Sequence, residues 1–365
     1  FTPTLNRTGS EIVLLNLISV LDKDIDARII SYYANGDLKN ALSESLSVTE
    51  LYQSKSSSSL FSKLLHRLEK NFTVAKKLKK QQDCIWYINT IVLPELIDYA
   101  MKWNIRVIVH SHELEQMFQL LSPIQLKNLI DYPELIIANS AASAAVLKKL
   151  GRVKPIEICY PAIRTSQIKK DEKAYFLKRK ELGIAENTKL WVMAGTLDDN
   201  KNPQYFLEAA QAVLQKNPTC KFMWIGGTPN KNFENSLKNK AIELKIADAI
   251  IWTGEIKNDF YAYFNCADGF MLSSKKESFS LVTLEALLYG LPVVANDCEG
   301  VREIVGKDYG KIVANAKEMA EEIIRINSLD CKTDTAQLRK RAEEFELEKT
   351  GKQWNKLLHQ FLNTP

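Results

Sequence analysis

The chain lacks any C-x-x-C pair. Its six cysteines, Cys84, Cys159, Cys220, Cys266, Cys298 and Cys331, stand singly along the sequence. That argues against a disulfide scaffold and predicts reduced thiols in a reducing compartment. Histidine is scarce: His66, His110, His112 and His359 are the complete set, and none sits at a zinc-like spacing from a cysteine or carboxylate. No structural metal is therefore expected. No apolar run reaches the ~18–20 residues that span a bilayer. The opening Phe1-Thr2-Pro3 carries no signal peptide, so a cytoplasmic chain is expected. No G-x-G-x-x-G follows a strand pattern, which disfavours a dehydrogenase. No internal repeat with a period of ~20–50 residues is present either.

What is present is ordinary in bulk. The chain has 365 residues, of which 45% are hydrophobic and 25% charged, and its net charge is +5. This length accommodates two domains of usual size. The charge is uneven. From Lys63 to Lys80 seven basic residues (Lys63, Arg67, Lys70, Lys76, Lys77, Lys79, Lys80) face one acid, Glu69, leaving the rest of the chain near neutrality. Such a stretch reads as a solvated helix face or as a peripheral contact with an anionic membrane through 63–80. Phe72 is its one aromatic residue, so nucleic acid is not an expected partner.

Short β-branched runs alternate with helical patterns, which predicts parallel α/β architecture. Strands are expected at Ala27–Tyr33, Cys84–Asn89, Val107–His110, Leu135–Ala138 and Glu157–Cys159. Helices are expected at Ser10–Leu21, Tyr52–Leu78, Pro94–Trp103 and Ala141–Leu150. After a lysine-rich linker over 164–186 the pattern restarts. Strands follow at Leu190–Ala194, Lys221–Ile225, Ile250–Trp252, Gly269–Leu272 and Pro292–Ala295, with helices at Pro203–Leu214, Phe233–Leu244, Leu281–Tyr289 and Ala316–Ile326. Ala336–Leu362 reads as one helical stretch anchored by Phe345 and Trp354. Two Rossmann-like, doubly wound domains are predicted, 1–163 and 164–346, with 347–365 packing back on the first. Ligand is expected at the strand C-termini, in a cleft between the domains.

The most informative segment is Ser274-Lys275-Lys276-Glu277-Ser278-Phe279-Ser280-Leu281-Val282-Thr283-Leu284-Glu285-Ala286, followed by Gly290-Leu291-Pro292-Val293-Val294. A helix starting near Ser280 leaves the N–H groups of Ser280, Leu281 and Val282 without intrahelical acceptors, and the helix dipole adds to their pull on an anion. A diphosphate suits that end. Glu277 and Glu285 frame it and would repel phosphate, unless each points at hydroxyls of a sugar or a ribose.

The Glu277-x7-Glu285 spacing with these flanks resembles the motif of retaining GT-B glycosyltransferases of the family 4 type. The resemblance implies that Glu277 lies by the donor sugar and Glu285 binds the nucleotide ribose. Gly195-Thr196-Leu197 with Lys201 resembles the family's Gly-Arg-Leu and lysine segment, with Thr196 where arginine is usual. Lys201 is then the diphosphate cation. Gly9, in Arg7-Thr8-Gly9-Ser10-Glu11, resembles the first-loop glycine that meets phosphate or acceptor, and Ser10 is placed to cap the following helix. Ile256, after Gly254-Glu255, stands where the base packs. His112, with His110 as the alternative, resembles the histidine that touches the donor sugar.

The expectation is a retaining transferase that moves a sugar from a nucleotide-diphosphate sugar to a hydroxyl of a glycan or lipid-linked acceptor, in bacterial surface polysaccharide synthesis. It would need no cofactor and no metal, since no Asp-x-Asp follows the end of a strand in the manner of the other large glycosyltransferase fold. The catalytic candidates are Glu277, His112 and Lys201. The rivals are a sugar-nucleotide epimerase or an inverting transferase on the same fold, and a non-catalytic sugar-nucleotide-binding protein.

Overall fold

A computed structural model describes residues 1–6, 8–33, 36, 38, 47–52, 72–256, 258–328 and 334–364. Backbone contacts divide the chain into two units, Phe1–Ala162 with Leu347–Pro365, and Ile163–Glu346.

The first unit contains β1 (Ile29–Tyr33), β2 (Val48–Tyr52), β3 (Trp86–Ile88), β4 (Val107–Ser111), β5 (Leu135–Ala138) and β6 (Ile156–Ile158). β1 and β2 pair in parallel, and β3-β4-β5-β6 form a parallel set of four. The opening residues run between the two sets. Thr2 N–H donates to Ile30 O (3.0 Å) and Tyr32 N–H to Thr2 O (2.9 Å), while Asn89 N–H donates to Phe1 O (2.9 Å). The chain runs from this central segment to β1 and β2 on one side, then returns to β3 on the other. A crevice therefore opens at the C-termini of the central segment and β3, where the winding direction changes.

β4 and β5 are buried along their whole length because helices cover both faces. Trp86, Val107, Val109 and Ile136 lie in the core, and Leu96, Ile97 and Ala100 of the helix Pro94–Trp103 pack on it. The terminal helix Leu347–Leu362 belongs to this unit and buries Trp354, Leu358 and Phe361.

The second unit is one parallel six-stranded sheet in the order β12-β11-β10-β7-β8-β9. Its strands are β7 (Leu190–Ala194), β8 (Lys221–Ile225), β9 (Ile250–Trp252), β10 (Gly269–Leu272), β11 (Val293–Asn296) and β12 (Lys311–Val313). Trp191, Trp224, Phe206, Phe222 and Phe270 are fully buried, each contributing about 1.5–3 kcal/mol or more through burial. β7 and β10 are neighbours from which the chain winds in opposite directions, so the switch point lies between their C-terminal ends.

Several elements differ from the sequence reading. The stretch from Tyr52 ends strand β2 and does not start a helix; a helix runs over 72–79, and 53–71 fall outside the described residues. The last stretch is broken into Thr335–Ala342, a 3-10 turn Glu343–Phe345, and Leu347–Leu362. Glu346 leaves helical geometry there and bonds Thr165 through its carboxylate. The 164–186 linker holds a helix, Glu172–Glu181, whose Arg179 is 2% exposed. Arg179 donates to Asp268 Oδ2 (3.0 Å), Cys266 O (3.1 Å) and Ala185 O (2.9 Å), so its burial is compensated by strong hydrogen bonds.

Candidate active site

In the second unit, two loops leave the switch point side by side. The loop after β7 carries Gly195 to Asn202, and the loop after β10 carries Ser273 to Ser280. Hydrogen bonds to backbone oxygens join them. Ser273 Oγ donates to Lys201 O (2.7 Å), Lys275 N–H to Asn200 O (2.7 Å) and Asn200 Nδ2 to Lys276 O (3.1 Å). Lys201 Nζ thereby meets Glu277 Oε1 at 2.6 Å, with the two side chains 22% and 10% exposed. Two candidates 76 positions apart are thus in direct contact.

Glycine is required around this pair. Gly195 has φ +150° and Gly226, at the end of β8, φ +132°. A Cβ on Gly226 would lie 2.1 Å from Gly195 O, the oxygen that also accepts from Trp224 Nε1 (3.1 Å). Gly300 N–H donates to Glu277 O (2.9 Å), and a Cβ on Gly300 would lie 2.1 Å from Ser278 O. The Glu277 backbone is therefore clamped between the β7 loop and the turn after β11.

The helix begins at Leu281 and ends at Leu288, and Ser280 at its N-cap makes no side-chain capping bond. Ser280 Oγ instead accepts from Thr283 Oγ1 (2.9 Å). The N–H groups of Leu281 and Val282, in the partly buried first turn, have no intrahelical acceptor, the arrangement that suits an anion at a helix N-terminus. Glu285 lies about 6 Å further along that axis at 1.5 Å per residue. Its Oε1 accepts from Tyr261 O–H (3.0 Å), and burial pushes its carboxyl up to about 7, against the lowering by that hydrogen bond.

Thr196 is exposed, and Ile256 is half-buried. The segment before Ile256 is fixed to β8 by the Gly226–Gly254 bridge and by Gly226 N–H donating to Thr253 Oγ1 (3.1 Å). Two further cations flank the site. Lys275 pairs with Asp199 (2.8 Å) and Lys276 with Glu299. Tyr261, on the helix Phe260–Asn265, and Glu299, in the turn after β11, were not site candidates in the sequence, because each comes from a separate element.

The first unit holds the remaining candidates at its own switch point. Gly9 is the first residue of the helix Gly9–Ile18, with open space where a Cβ would stand, and Thr8 is its N-cap. Ser10 lies inside the helix and does not cap it; its Oγ donates to Glu11 Oε2 (2.8 Å). Arg7 falls outside the described residues. His110, the last but one residue of β4, is fully buried, and His112 follows the strand half-buried, with ring centroids 4.2 Å apart. His112 Nε2 bonds Asn89 Oδ1 (3.0 Å), and Asn89 Nδ2 donates to Ser10 O (3.1 Å). Burial brings His112 down to about 3, and lowers His110 well below the usual range, with His112 adding to the effect. Both rings are neutral at physiological pH. Glu113, unnoticed in the sequence, accepts from Thr90 Oγ1, Ile91 N–H (3.2 Å), His112 N–H (2.8 Å) and Ser111 Oγ (3.3 Å), tying the end of β4 to the loop after β3.

One group among the described residues brings three possible metal ligands within 4.8 Å: Asp22, Asp24 and His359, in the first unit. Asp22 there already accepts from Asn355 Nδ2 (3.1 Å) and meets His359 Nε2 at 3.0 Å. Of the basic stretch, Lys76, Lys79 and Lys80 are exposed while Lys77 donates to Glu50 O (2.6 Å). Lys63, Arg67, Glu69 and Lys70 lie outside the described residues. No described helix is long and apolar enough to cross a membrane.

Residues 175–345, which carry both loops and the helix between Glu277 and Tyr289, match the family model of glycosyl transferases group 1. The crystal structure of Anabaena HepE in complex with UDP-glucose superposes with a TM-score of 0.83 at 20% identity, covering 99% of this chain and 98% of that one. The fold is GT-B. Sequence relatives include the alpha-monoglucosyldiacylglycerol synthase of Streptococcus pneumoniae, 30% identical over 40% of this chain and 33% of that protein. Another is a Campylobacter jejuni PP-undecaprenol alpha-1,4-N-acetyl-D-galactosaminyltransferase, 24% identical over 99% of this chain and 97% of that protein. The matches to the first four relatives span between 33% and 52% of those proteins' own lengths. On the GT-B fold, the matched region places Lys201, Glu277 and Glu285 in the second domain.

Proposed function

We infer that this chain transfers a sugar from a nucleotide-diphosphate sugar to a hydroxyl of a glycan or lipid-linked acceptor, with retention at the anomeric carbon. The observation that carries this reading is the Lys201–Glu277 pair held beside an uncapped helix N-terminus. It combines a cation and free N–H groups, which suit a diphosphate, with a carboxylate that suits sugar hydroxyls. The match to glycosyl transferases group 1 supports the same class.

In the proposed reaction the anomeric C–O bond to the diphosphate breaks, and its electrons leave with the nucleoside diphosphate. Lys201 and the N–H groups of Leu281 and Val282 stabilise that charge as it develops, a term for which losing one donor costs roughly 10²–10³ in rate. The acceptor oxygen bonds to the anomeric carbon on the face the diphosphate leaves. Its proton passes to a diphosphate oxygen, with no covalent enzyme intermediate. Glu277 orients the sugar, Glu285 accepts from ribose hydroxyls, and Ile256 packs on the base. Thr196 supplies no charge, so Lys276, next to Glu277, is assigned the cation that arginine would provide. With these groups neutralising the diphosphate, no metal is required.

A uridine nucleotide is the first donor to test, since the HepE complexes contain UDP and UDP-glucose. The lipid-bearing acceptors in the names of the relatives favour a lipid-linked glycan in surface polysaccharide synthesis, with 63–80 as a peripheral membrane contact. Proton NMR of the product linkage is the direct test. The same anomeric configuration in donor and product is expected, and inversion would overturn retention. Glu277→Ala should lower turnover by at least ~10²-fold with the fold intact, whereas near-normal activity would remove its role.

A further inference from the structure

His110 is fully buried, yet it is polar on both edges of its ring, and its environment is built to hold one tautomer. Trp354, in the terminal helix, can only donate through Nε1–H, and it does so to Tyr87 Oη at 3.1 Å. The phenolic proton is then free to point at the ring nitrogen on the other side of Tyr87, His110 Nδ1, 2.6 Å away. With the phenol donating, Nδ1 accepts and His110 carries its proton on Nε2. Both contacts are also edge-to-face, at 83° between Tyr87 and His110 and 88° between Tyr87 and Trp354. The three rings are thereby fixed in angle as well as in hydrogen bonding. His110 Nε2, enclosed and without a partner among the described residues, is the open end of the relay.

The tautomer of His112 is set by Asn89. Asn89 Nδ2 donates to Ser10 O, so Oδ1 is the atom that faces His112 Nε2 and can only accept. His112 is therefore also an Nε2–H tautomer, and its Nδ1 is a lone-pair acceptor. The His110 ring, 4.2 Å from that of His112, forms the floor against which it rests.

We propose that Trp354 and Tyr87 are positioning residues: through His110 they hold His112 so that its Nδ1 accepts a hydrogen bond from a sugar hydroxyl. This rests on the transferase reading for the identity of the ligand but not for the relay itself. A helix from the far end of the chain thus fixes the tautomer and ring angle of His110, on which the His112 ring rests.

Nitrogen-15 NMR of histidine-labelled full-length protein tests the relay without any activity. Both His110 and His112 should show an unprotonated Nδ1 and a protonated Nε2, unchanged between pH 6 and 8. A protonated Nδ1 on His110 in the unaltered protein overturns the proposal. Tyr87→Phe keeps the ring contacts and removes the bridge. His110 should then populate both tautomers, and kcat/KM for transfer should fall about tenfold, chiefly through a higher KM for the sugar substrate. Trp354→Phe should act in the same direction and less strongly. Leu358→Ala, on the same buried helix face, should lower the melting temperature but leave both tautomers and KM unchanged. If Tyr87→Phe leaves the His110 tautomer and KM as they were, or if Leu358→Ala shifts them equally, the positioning role is lost. A protein that shows the relay by NMR but transfers no sugar would instead contradict the functional reading.

Discussion

Glu285 shows how one buried carboxyl makes a site sensitive to pH. Its folded value is raised to about 7 because burial penalises the carboxylate more than the Tyr261 hydrogen bond favours it. In the unfolded chain it titrates near ~4.3. Between these values the folded state binds more protons than the unfolded state, so this group's contribution to stability falls as pH rises through that window and is level above it. Glu285→Gln should flatten that slope in urea melts at pH 5, 6 and 8. Ribose hydroxyls are best accepted by the carboxylate, so calorimetry should show UDP binding strengthening as pH rises from 6 to 8 in the native protein. Affinity that is level with pH, or that behaves identically in Glu285→Gln, would remove the carboxylate from the nucleotide site.

At the scale of elements, the β7 loop is held against the end of β8 because backbone atoms approach there where a side chain cannot fit. Gly226→Ala would force a Cβ to 2.1 Å from Gly195 O at a φ of +132°. It should cost ~1–3 kcal/mol in denaturant melts and shift the loop that carries Lys201, weakening nucleotide binding as well. A variant of native stability and affinity would show that the close approach is dispensable. Gly9→Ala offers the contrast, since open space surrounds that position and stability should change little. Element boundaries were legible where pattern and packing agree. Leu190–Ala194 is apolar throughout and is found as a fully buried strand. Val48–Tyr52 was not read as a strand, because VTELY alternates too weakly and its pairing partner, β1, is supplied by the fold. The break at Glu346 was likewise hidden, since its contacts with Ile163 and Thr165 come from a distant part of the sequence.

For the whole molecule, ligand binding should appear as stability. A nucleotide at a hundred times its Kd adds ~2.7 kcal/mol to the folded state, so thermal shifts with UDP, GDP and ADP should single out one base. The shift should persist with a chelator present if Lys201, Lys276 and the helix N-terminus alone neutralise the diphosphate. Loss of the shift on chelation, and its return with magnesium, would contradict metal independence. What the sequence by itself determined is local or periodic: the βα alternation that makes parallel sheets, and a loop-to-helix transition with Glu277 before it and Glu285 inside it. These follow from side-chain periodicity and from the four N–H groups that every helix start leaves unpaired. Only the tertiary structure decided that Lys201 grips Glu277, that Tyr261 meets Glu285, that Glu113 braces the end of β4, and that His110 is enclosed while His112 stays half-buried. Each of those contacts joins different strands or loops, and distance along the chain carries no information about such a meeting until the sheet order brings the strand ends together.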